Sequence, residues 1–207
     1  MNSNRLILRN LKKTDCKELT EQGNDKDINF FNWYIPFPFK ESDAKKIILE
    51  RIENPKLKYR KQSPSSILSS MFSVLSKSKK SKGFGEKRTI YSFAIVLKQT
   101  KRFMGIIELY GFNKEDRKAK IGYWLGKKYR GNGYVPEALE KIIRFSFENL
   151  KLNKLSAYVI KSNKKSIRIL NKLKFRKVGV QKRDKLFEGK YYDVILFELL
   201  KGEKNEV

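Results

Sequence analysis

The stretch from Ile121 to Ala138, IGYWLGKKYRGNGYVPEA, decides the fold. Ile121, Tyr123, Trp124 and Leu125 form an apolar, aromatic run of strand character. A basic, glycine-containing turn follows from Lys127 to Gly133, and a helical apolar pattern starts at once behind it. Gly131 and Gly133 lack a Cβ and can take positive φ, so successive backbone N–H groups can converge on one concavity at the positive end of the coming helix. Lys127, Lys128 and Arg130 surround it with positive charge. Pro136 suits a first helical turn, where its missing N–H costs no hydrogen bond. Short basic glycine loops also occur as plain turns, so the loop alone leaves phosphate binding and simple chain reversal both open.

Towards the N-terminus, Phe103 to Tyr110 and Ile90 to Lys98 read as strands of a hairpin closed by the basic turn Gln99 to Arg102. Arg5 to Arg9 alternates charged and apolar residues as a first strand, and Thr14 or Asp15 is placed to cap a helix ending near Gly23. Asn29 to Phe39 is aromatic and broken by Pro36 and Pro38, which predicts irregular structure: a core plug or the wall of a pocket. Ser42 is expected to cap a helix carrying Ala44, Ile47, Ile48 and Ile52 and stopped at Asn54-Pro55. Residues 54–88 hold ten Lys/Arg against one acid, Glu86, around an amphipathic helical pattern that starts at Ser63-Pro64 and carries Ile67, Leu68, Met71, Phe72, Val74 and Leu75. A solvated charge run, a nucleic-acid or ribosome contact and a membrane-surface helix all fit that insertion.

Towards the C-terminus, Val135 to Leu150 presents a broad apolar helical face through Ala138, Leu139, Ile142, Ile143, Phe145 and Leu150. Leu155 to Ile160 is a strand, and Ser162 or Asn163 caps a helix carrying Ile167, Ile169, Leu170 and Leu173. Val178 to Phe187 and Tyr191 to Leu200 pair around Glu188-Gly189-Lys190. The mixture of strands and helices gives one α/β or α+β domain over residues 1–207.

Composition removes whole classes of chemistry. The 207 residues contain no histidine and one cysteine, Cys16, so Ser-His-Asp and Cys-His catalysis, an intramolecular disulfide and a Cys/His metal site are all excluded. No metal ligand set is expected. Forty-eight Lys/Arg against 22 Asp/Glu give a formal charge of +26, which favours polyanionic partners and disfavours a free polycationic substrate. With no apolar run of bilayer length and no signal-peptide pattern, a cytoplasmic protein is expected. The oligomeric state stays open.

Several of these stretches together resemble the GNAT N-acetyltransferases, and within them the Rim-type branch that acetylates ribosomal-protein N-termini. The family signature is Gln or Arg, two variable residues, Gly, one variable residue, then Gly or Ala. It falls here on Lys128, Gly131 and Gly133, with lysine as a conservative departure. The likeness extends to RLILR at 5–9, WYIPFP at 33–38, GYWL at 122–125, and Asn163-x-x-Ser166 with Leu170, Leu173 and Phe175 behind it.

The resemblance implies the GNAT fold, a mixed, mostly antiparallel central sheet flanked by helices, in which a splayed strand pair holds acetyl-CoA. The backbone of Tyr123 and Leu125 would bond the pantetheine arm. The N–H groups of Lys128, Tyr129, Arg130, Gly131, Asn132, Gly133 and Tyr134 would hold the pyrophosphate, with Asn163 reaching in from the other side. Trp33, Tyr34 and Phe37 would wall the acceptor pocket. Acetyl transfer to an amine needs that amine uncharged, and Glu108 is the candidate relay for its proton through water, or else a solvent-facing strand residue. The tyrosine acid of many relatives is Leu170 here, and Lys174 replaces the usual glycine, so Ser166 or water is left to protonate the leaving sulfur, or the thiolate leaves unprotonated. A protein N-terminus, ribosomal in the leading case, is the expected acceptor. The alternatives are a small-molecule amine and a non-catalytic module that binds CoA or nucleic acid.

Overall fold

The computed structural model describes residues 1–32, 35–52 and 90–202. Trp33, Tyr34 and the basic insertion at 54–88 therefore lie outside the described residues. Seven strands form one sheet in the order β1-β2-β3-β4-β5-β7-β6: β1 Leu6–Asn10, β2 Tyr91–Leu97, β3 Phe103–Asn113, β4 Lys118–Leu125, β5 Lys154–Ile160, β6 Arg176–Phe187 and β7 Lys190–Leu200. Every neighbouring pair is antiparallel except β4 and β5. This is the sheet the resemblance implies.

Alternation sorts the side chains into two layers. Phe93 and Ile95 of β2, Ile107 and Leu109 of β3, Ala119 and Ile121 of β4 and Leu155 and Ala157 of β5 share one core with Leu139 and Ile142 of α4 (Tyr134–Arg144) and Leu170 of α5 (Lys164–Lys172). The opposite residues Ala94, Val96, Phe103, Ile106 and Trp124 pack against α1 (Cys16–Gly23), α2 (Lys26–Phe31) and α3 (Glu41–Ile52) through Leu19, Ile28, Ala44 and Ile48. Strands β2 and β3 are covered on both faces, which is why they read as nearly continuous apolar runs.

Three boundaries differ from expectation, each for a local reason. Asn29 to Phe31 is helical within α2, because the Asp25 carboxylate accepts from Asp27 N–H and starts the helix ahead of the prolines. Glu41 opens α3 with Ser42 already inside it, and Asp43 rather than Ser42 supplies the cap by accepting from Lys40 N–H at 2.9 Å. The α-helix expected to Leu150 ends at Arg144 and widens into a π turn over Phe145–Asn149, closed by Leu150 N–H on the Phe145 carbonyl. The wider turn buries Phe145, Phe147 and Leu150 together, a spacing a straight helix does not give. Asp15 precedes α1 but does not cap it; its carboxylate binds Arg9 and Lys12 N–H instead. Among the described residues no helix is long and apolar enough to cross a membrane.

Candidate functional site

The parallel pairing of β4 with β5 stops early. Partners run Lys118↔Lys154, Ala119↔Leu155 and Lys120↔Ser156, and none follows although both strands continue. Beyond that point the strands part. Gly126 N–H donates to the Met104 carbonyl at 2.9 Å, which fixes the phase of the β3–β4 ladder. With Leu125 opposite Gly105 and Tyr123 opposite Ile107, alternation turns the N–H groups of Tyr123 and Leu125 away from β3 and into the gap. From the other side, Lys161 N–H on the Asp193 carbonyl sets β5 so that the main chain of Tyr158 faces the same gap.

At the mouth of the gap lies the signature turn. A 3-10 turn covers Lys127–Tyr129, and Gly131 and Gly133 have φ of +85° and +75°, the left-handed conformation that glycine adopts without strain. Gly133 is the residue from which α4 starts. The N–H groups of Gly131, Asn132, Gly133, Tyr134 and Val135 have no acceptor among the described residues. Five successive unpaired donors at a helix N-terminus make an anion cradle. The carbonyls are held behind it: Asn132 Nδ2 donates to the Arg130 carbonyl at 3.2 Å, and Arg5 Nη1 donates to the Asn132 carbonyl at 3.0 Å. These donors fit a pyrophosphate, and the gap behind them is lined by the strand amides an extended amide-bearing arm needs.

The basic side chains of the turn are engaged elsewhere. Lys128 Nζ pairs with Glu21 of α1 at 2.7 Å and lies over the Tyr129 ring. Arg130 pairs with Asp25 at 2.8 Å and Asp27 at 3.2 Å, and its Nε donates to the Leu125 carbonyl at 2.9 Å. They tie the turn to α1 and α2. The Tyr129 and Arg130 N–H groups, expected among the anion donors, are spent inside the 3-10 turn on the Gly126 and Lys127 carbonyls at 3.0 and 3.3 Å, so the cradle begins at Gly131.

On the α4–α5 face of the gap, the Tyr123 hydroxyl meets Ser166 Oγ at 2.6 Å. Burial pushes the Tyr123 phenol up to about 12, against the opposing hydrogen bond from Ser166. It is therefore a neutral proton carrier near pH 7. Asn163 caps α5 by accepting from Ser166 N–H at 3.1 Å, which places Ser166 beside Tyr123.

On the α1–α3 face, Glu108 of β3 lies opposite Gly122. It is 6% exposed, its Oε1 accepts from Arg51 Nε of α3 at 2.9 Å and from Ser92 Oγ, and among the described residues its second oxygen accepts no hydrogen bond. Tyr110 follows on the same face, its hydroxyl pushed up to about 12 by burial and by the nearby Glu108 and Tyr158. Since Gly122 has no side chain, Glu108 and Tyr110 of β3 and Tyr158 of β5 form a polar floor across β4.

Phe37 is 43% exposed, under Lys26 Nζ. The aromatic contact with the far hairpin comes from Phe30, whose ring meets Phe187 at 5.2 Å and Tyr192 at 5.0 Å, both edge-on. Tyr110, Tyr158, Phe187 and Tyr192 had no motif to mark them; their positions depend on register. Glu137, in the first turn of α4, binds the N-terminal segment through Ser3, at 2.6 Å, and Arg5.

An open strand pair ending in an amide cradle is a frame able to seat an extended, phosphate-bearing ligand. The acetyltransferase (GNAT) domain model matches residues 5–176, and the chain belongs to that family, whose acetyl donor is acetyl-CoA. It is 37% identical over 111 residues to the uncharacterized N-acetyltransferase p20 of Bacillus licheniformis, covering 54% of this chain and 62% of that one. It is 35% identical over 100 residues to YdaF of Bacillus subtilis (strain 168), assigned as a ribosomal N-acetyltransferase, covering 48% of this chain and 54% of that one. The chain thus matches less than two thirds of the length of these curated relatives. Among solved structures, a spermidine N-acetyltransferase from Vibrio cholerae in complex with CoA and spermine has a TM-score of 0.72 at 18% identity, covering 99% of this chain and all of that one, a likeness of fold.

Proposed function

We propose that the chain transfers acetyl from acetyl-CoA to the α-amino group of a protein N-terminus, with a ribosomal protein as the leading acceptor. The observation that carries the donor half is the run of five unpaired N–H groups from Gly131 to Val135 at the mouth of the β4–β5 gap. In this reading Gly131, Asn132, Gly133 and Tyr134 hold the pyrophosphate through their amides. Lys128, Tyr129 and Arg130 shape the turn, Tyr123 and Leu125 bond the pantetheine arm, and the Asn163 side-chain amide closes the far side.

When bound, acetyl-CoA supplies an acetyl thioester. The Leu125 N–H, turned into the gap, would donate to the oxygen on which charge develops, and Arg130 Nε on the Leu125 carbonyl anchors the same residue from the turn. Glu108 receives the proton of the incoming ammonium through water, using the oxygen that neither Arg51 nor Ser92 occupies. The Tyr123–Ser166 hydroxyl pair, on the α4–α5 face of the gap, would be the protein group available to pass a proton to the departing sulfur. An α-amine, with a pKa of about 7.7–8.0, is partly neutral near pH 7 and asks less of a buried carboxylate than a lysine at about 10.4.

Charge supports a polyanion-associated acceptor over a polycation. The carboxylates around the turn and the floor are paired: Glu21 with Lys128, Asp25 and Asp27 with Arg130, Glu108 with Arg51. Among the described residues a polyamine would find no unpaired carboxylate there. From Lys161 to Arg183 the chain has ten Lys/Arg and no Asp/Glu. Lys164, Lys165, Arg168 and Lys172 fall on one exposed face of α5 and have no ionic partner among the described residues. Such a face suits the RNA of a ribosomal particle and would present an N-terminus to the adjoining gap.

The test is mass spectrometry after incubation with acetyl-CoA and three acceptors: a peptide with a free α-amine and no lysine, its N-blocked lysine counterpart, and spermidine. Acetylation of the first alone is expected. Acetylation of spermidine in preference would overturn the acceptor, and none of any amine would overturn the activity.

A further inference from the structure

We propose that Arg5 is a positioning residue for the phosphate-binding turn, which it sets from behind through the Asn132 carbonyl. The inference rests on the pyrophosphate reading of that turn. Arg5 lies at the start of the chain, before β1, and its guanidinium reaches the turn from the side opposite the gap. Its Nη1 donates to the Asn132 carbonyl at 3.0 Å, its Nε pairs with Glu137 Oε2 at 2.7 Å, and the group lies 4.7 Å from the centroid of the Tyr134 ring. An added Cβ at Gly133 would sit 3.4 Å from Nη2, so the guanidinium occupies the space behind the left-handed residue.

The consequence follows from peptide geometry. In a trans peptide the C=O of one residue and the N–H of the next point in opposite directions. Arg5 on the Asn132 carbonyl therefore fixes Gly133 N–H facing forward, into the cradle. Asn132 Nδ2 on the Arg130 carbonyl does the same for Gly131 N–H. Without such a back-bond, the peptide on either side of two positive-φ glycines is free to turn, and a flipped unit would present a carbonyl oxygen to the anion.

The clasp is itself held. The Glu137 carboxylate, on the fourth residue of α4, accepts from Arg5 N–H at 2.8 Å and Ser3 Oγ at 2.6 Å besides Arg5 Nε. Lys98 of the β2–β3 turn donates to the carbonyls of Ser3 and Asn4. One arginine thus joins the N-terminal segment, the turn and the first turn of α4, spanning both sides of Gly133. Lysine could satisfy Glu137 or the Asn132 carbonyl, but its single ammonium lacks the planar fork that serves both while stacking on Tyr134.

If the competent orientation of the 132–133 peptide falls to about a tenth of the population, apparent affinity falls about tenfold. The experiment is calorimetric titration of CoA into the full-length wild type, Arg5→Ala and Arg5→Lys, with amide hydrogen exchange read at Gly131 and Gly133 and thermal unfolding as a fold control. The wild type is expected to protect both amides on binding CoA. Arg5→Ala and Arg5→Lys should bind at least about tenfold more weakly, with the loss of protection concentrated at Gly133 and Gly131 less affected. Equal CoA affinity in folded Arg5→Lys, or equal loss at both amides, would overturn the positioning role. A wild type that binds no CoA would instead overturn the cofactor site on which the role rests.

Discussion

Glu108→Gln separates the two duties assigned to the buried carboxylate. The side chains of Arg51 and Glu108 are 14% and 8% exposed and 2.9 Å apart, and removing the charge from one member of a buried pair costs about 3–5 kcal/mol. The amide oxygen of the replacement still accepts from Arg51 and Ser92, so a loss near the lower end, about 3 kcal/mol, is expected. For a chain of this length each kcal/mol moves Tm by about 2–4 °C, giving a fall of about 6–12 °C. If Glu108 also takes the ammonium proton, kcat per folded molecule should drop about 10²–10⁴-fold near pH 7. The deficit should shrink towards alkaline pH, where the α-amine, with a pKa of about 7.7–8.0, loses its own proton. Thermal unfolding by circular dichroism and a pH profile of kcat, corrected for folded fraction, provide both readings. Reduced Tm with unchanged kcat per folded molecule would leave Glu108 as an anchor of α3 on β3 and refute the relay. Unchanged Tm would refute the account of the buried pair.

Gly105→Ala should weaken both stability and turnover: the added Cβ would lie 2.2 Å from the Trp124 carbonyl oxygen and 2.9 Å from Leu125 Cα, both backbone atoms that yield only if β3 and β4 part. A loss of about 1–3 kcal/mol in denaturant unfolding is expected, and kcat should fall as well because Leu125 N–H moves with its strand. The Glu137 carboxyl is opposed by burial but held below the ordinary range by hydrogen bonds from Ser3 and Arg5. Its stabilisation is therefore present above the unfolded value near 4.3 and is lost as pH falls through the lower folded value. The stability difference between wild type and Glu137→Gln, measured by urea unfolding, should shrink over that acid range; a constant difference would contradict the clasp. Reversing Lys165, Arg168 and Lys172 of α5 to Glu should reduce the salt dependence of binding to ribosomal RNA by about 2–3 in log–log slope, the share of three phosphate contacts. An unchanged slope would place the polyanion contact elsewhere.

Much of this frame was legible before the structure. The IGYWLGKKYRGNGYVPEA stretch is a strand, turn and helix as read, because apolar alternation and positive-φ glycine are local properties. Asn163 capping α5 was legible for the same reason. The boundaries that differed depend on competition between neighbours. Asp25 starts α2 two residues ahead of Asp27, and the π turn at Phe145 brings Phe145, Phe147 and Leu150 into the core together. Lys128 and Arg130 carry the right charge for a phosphate, but their nearest acids lie in α1 and α2, more than a hundred residues earlier in the chain. Arg5 behind the turn and Phe30 against Phe187 are likewise tertiary facts. No local pattern encodes them, although the alternating RLILR run did mark the strand that delivers Arg5.

The most direct measurement is amide hydrogen exchange at Gly131, Asn132, Gly133, Tyr134 and Val135, with and without acetyl-CoA at moderate salt, with ATP as a control for general polyphosphate attraction. These N–H groups have no acceptor among the described residues and should exchange fast in the free protein. The account predicts that acetyl-CoA slows all five, together with Leu125 in the gap, more than ATP does. Exchange that stays fast at these residues while acetyl-CoA binds would place the cofactor elsewhere and contradict the site.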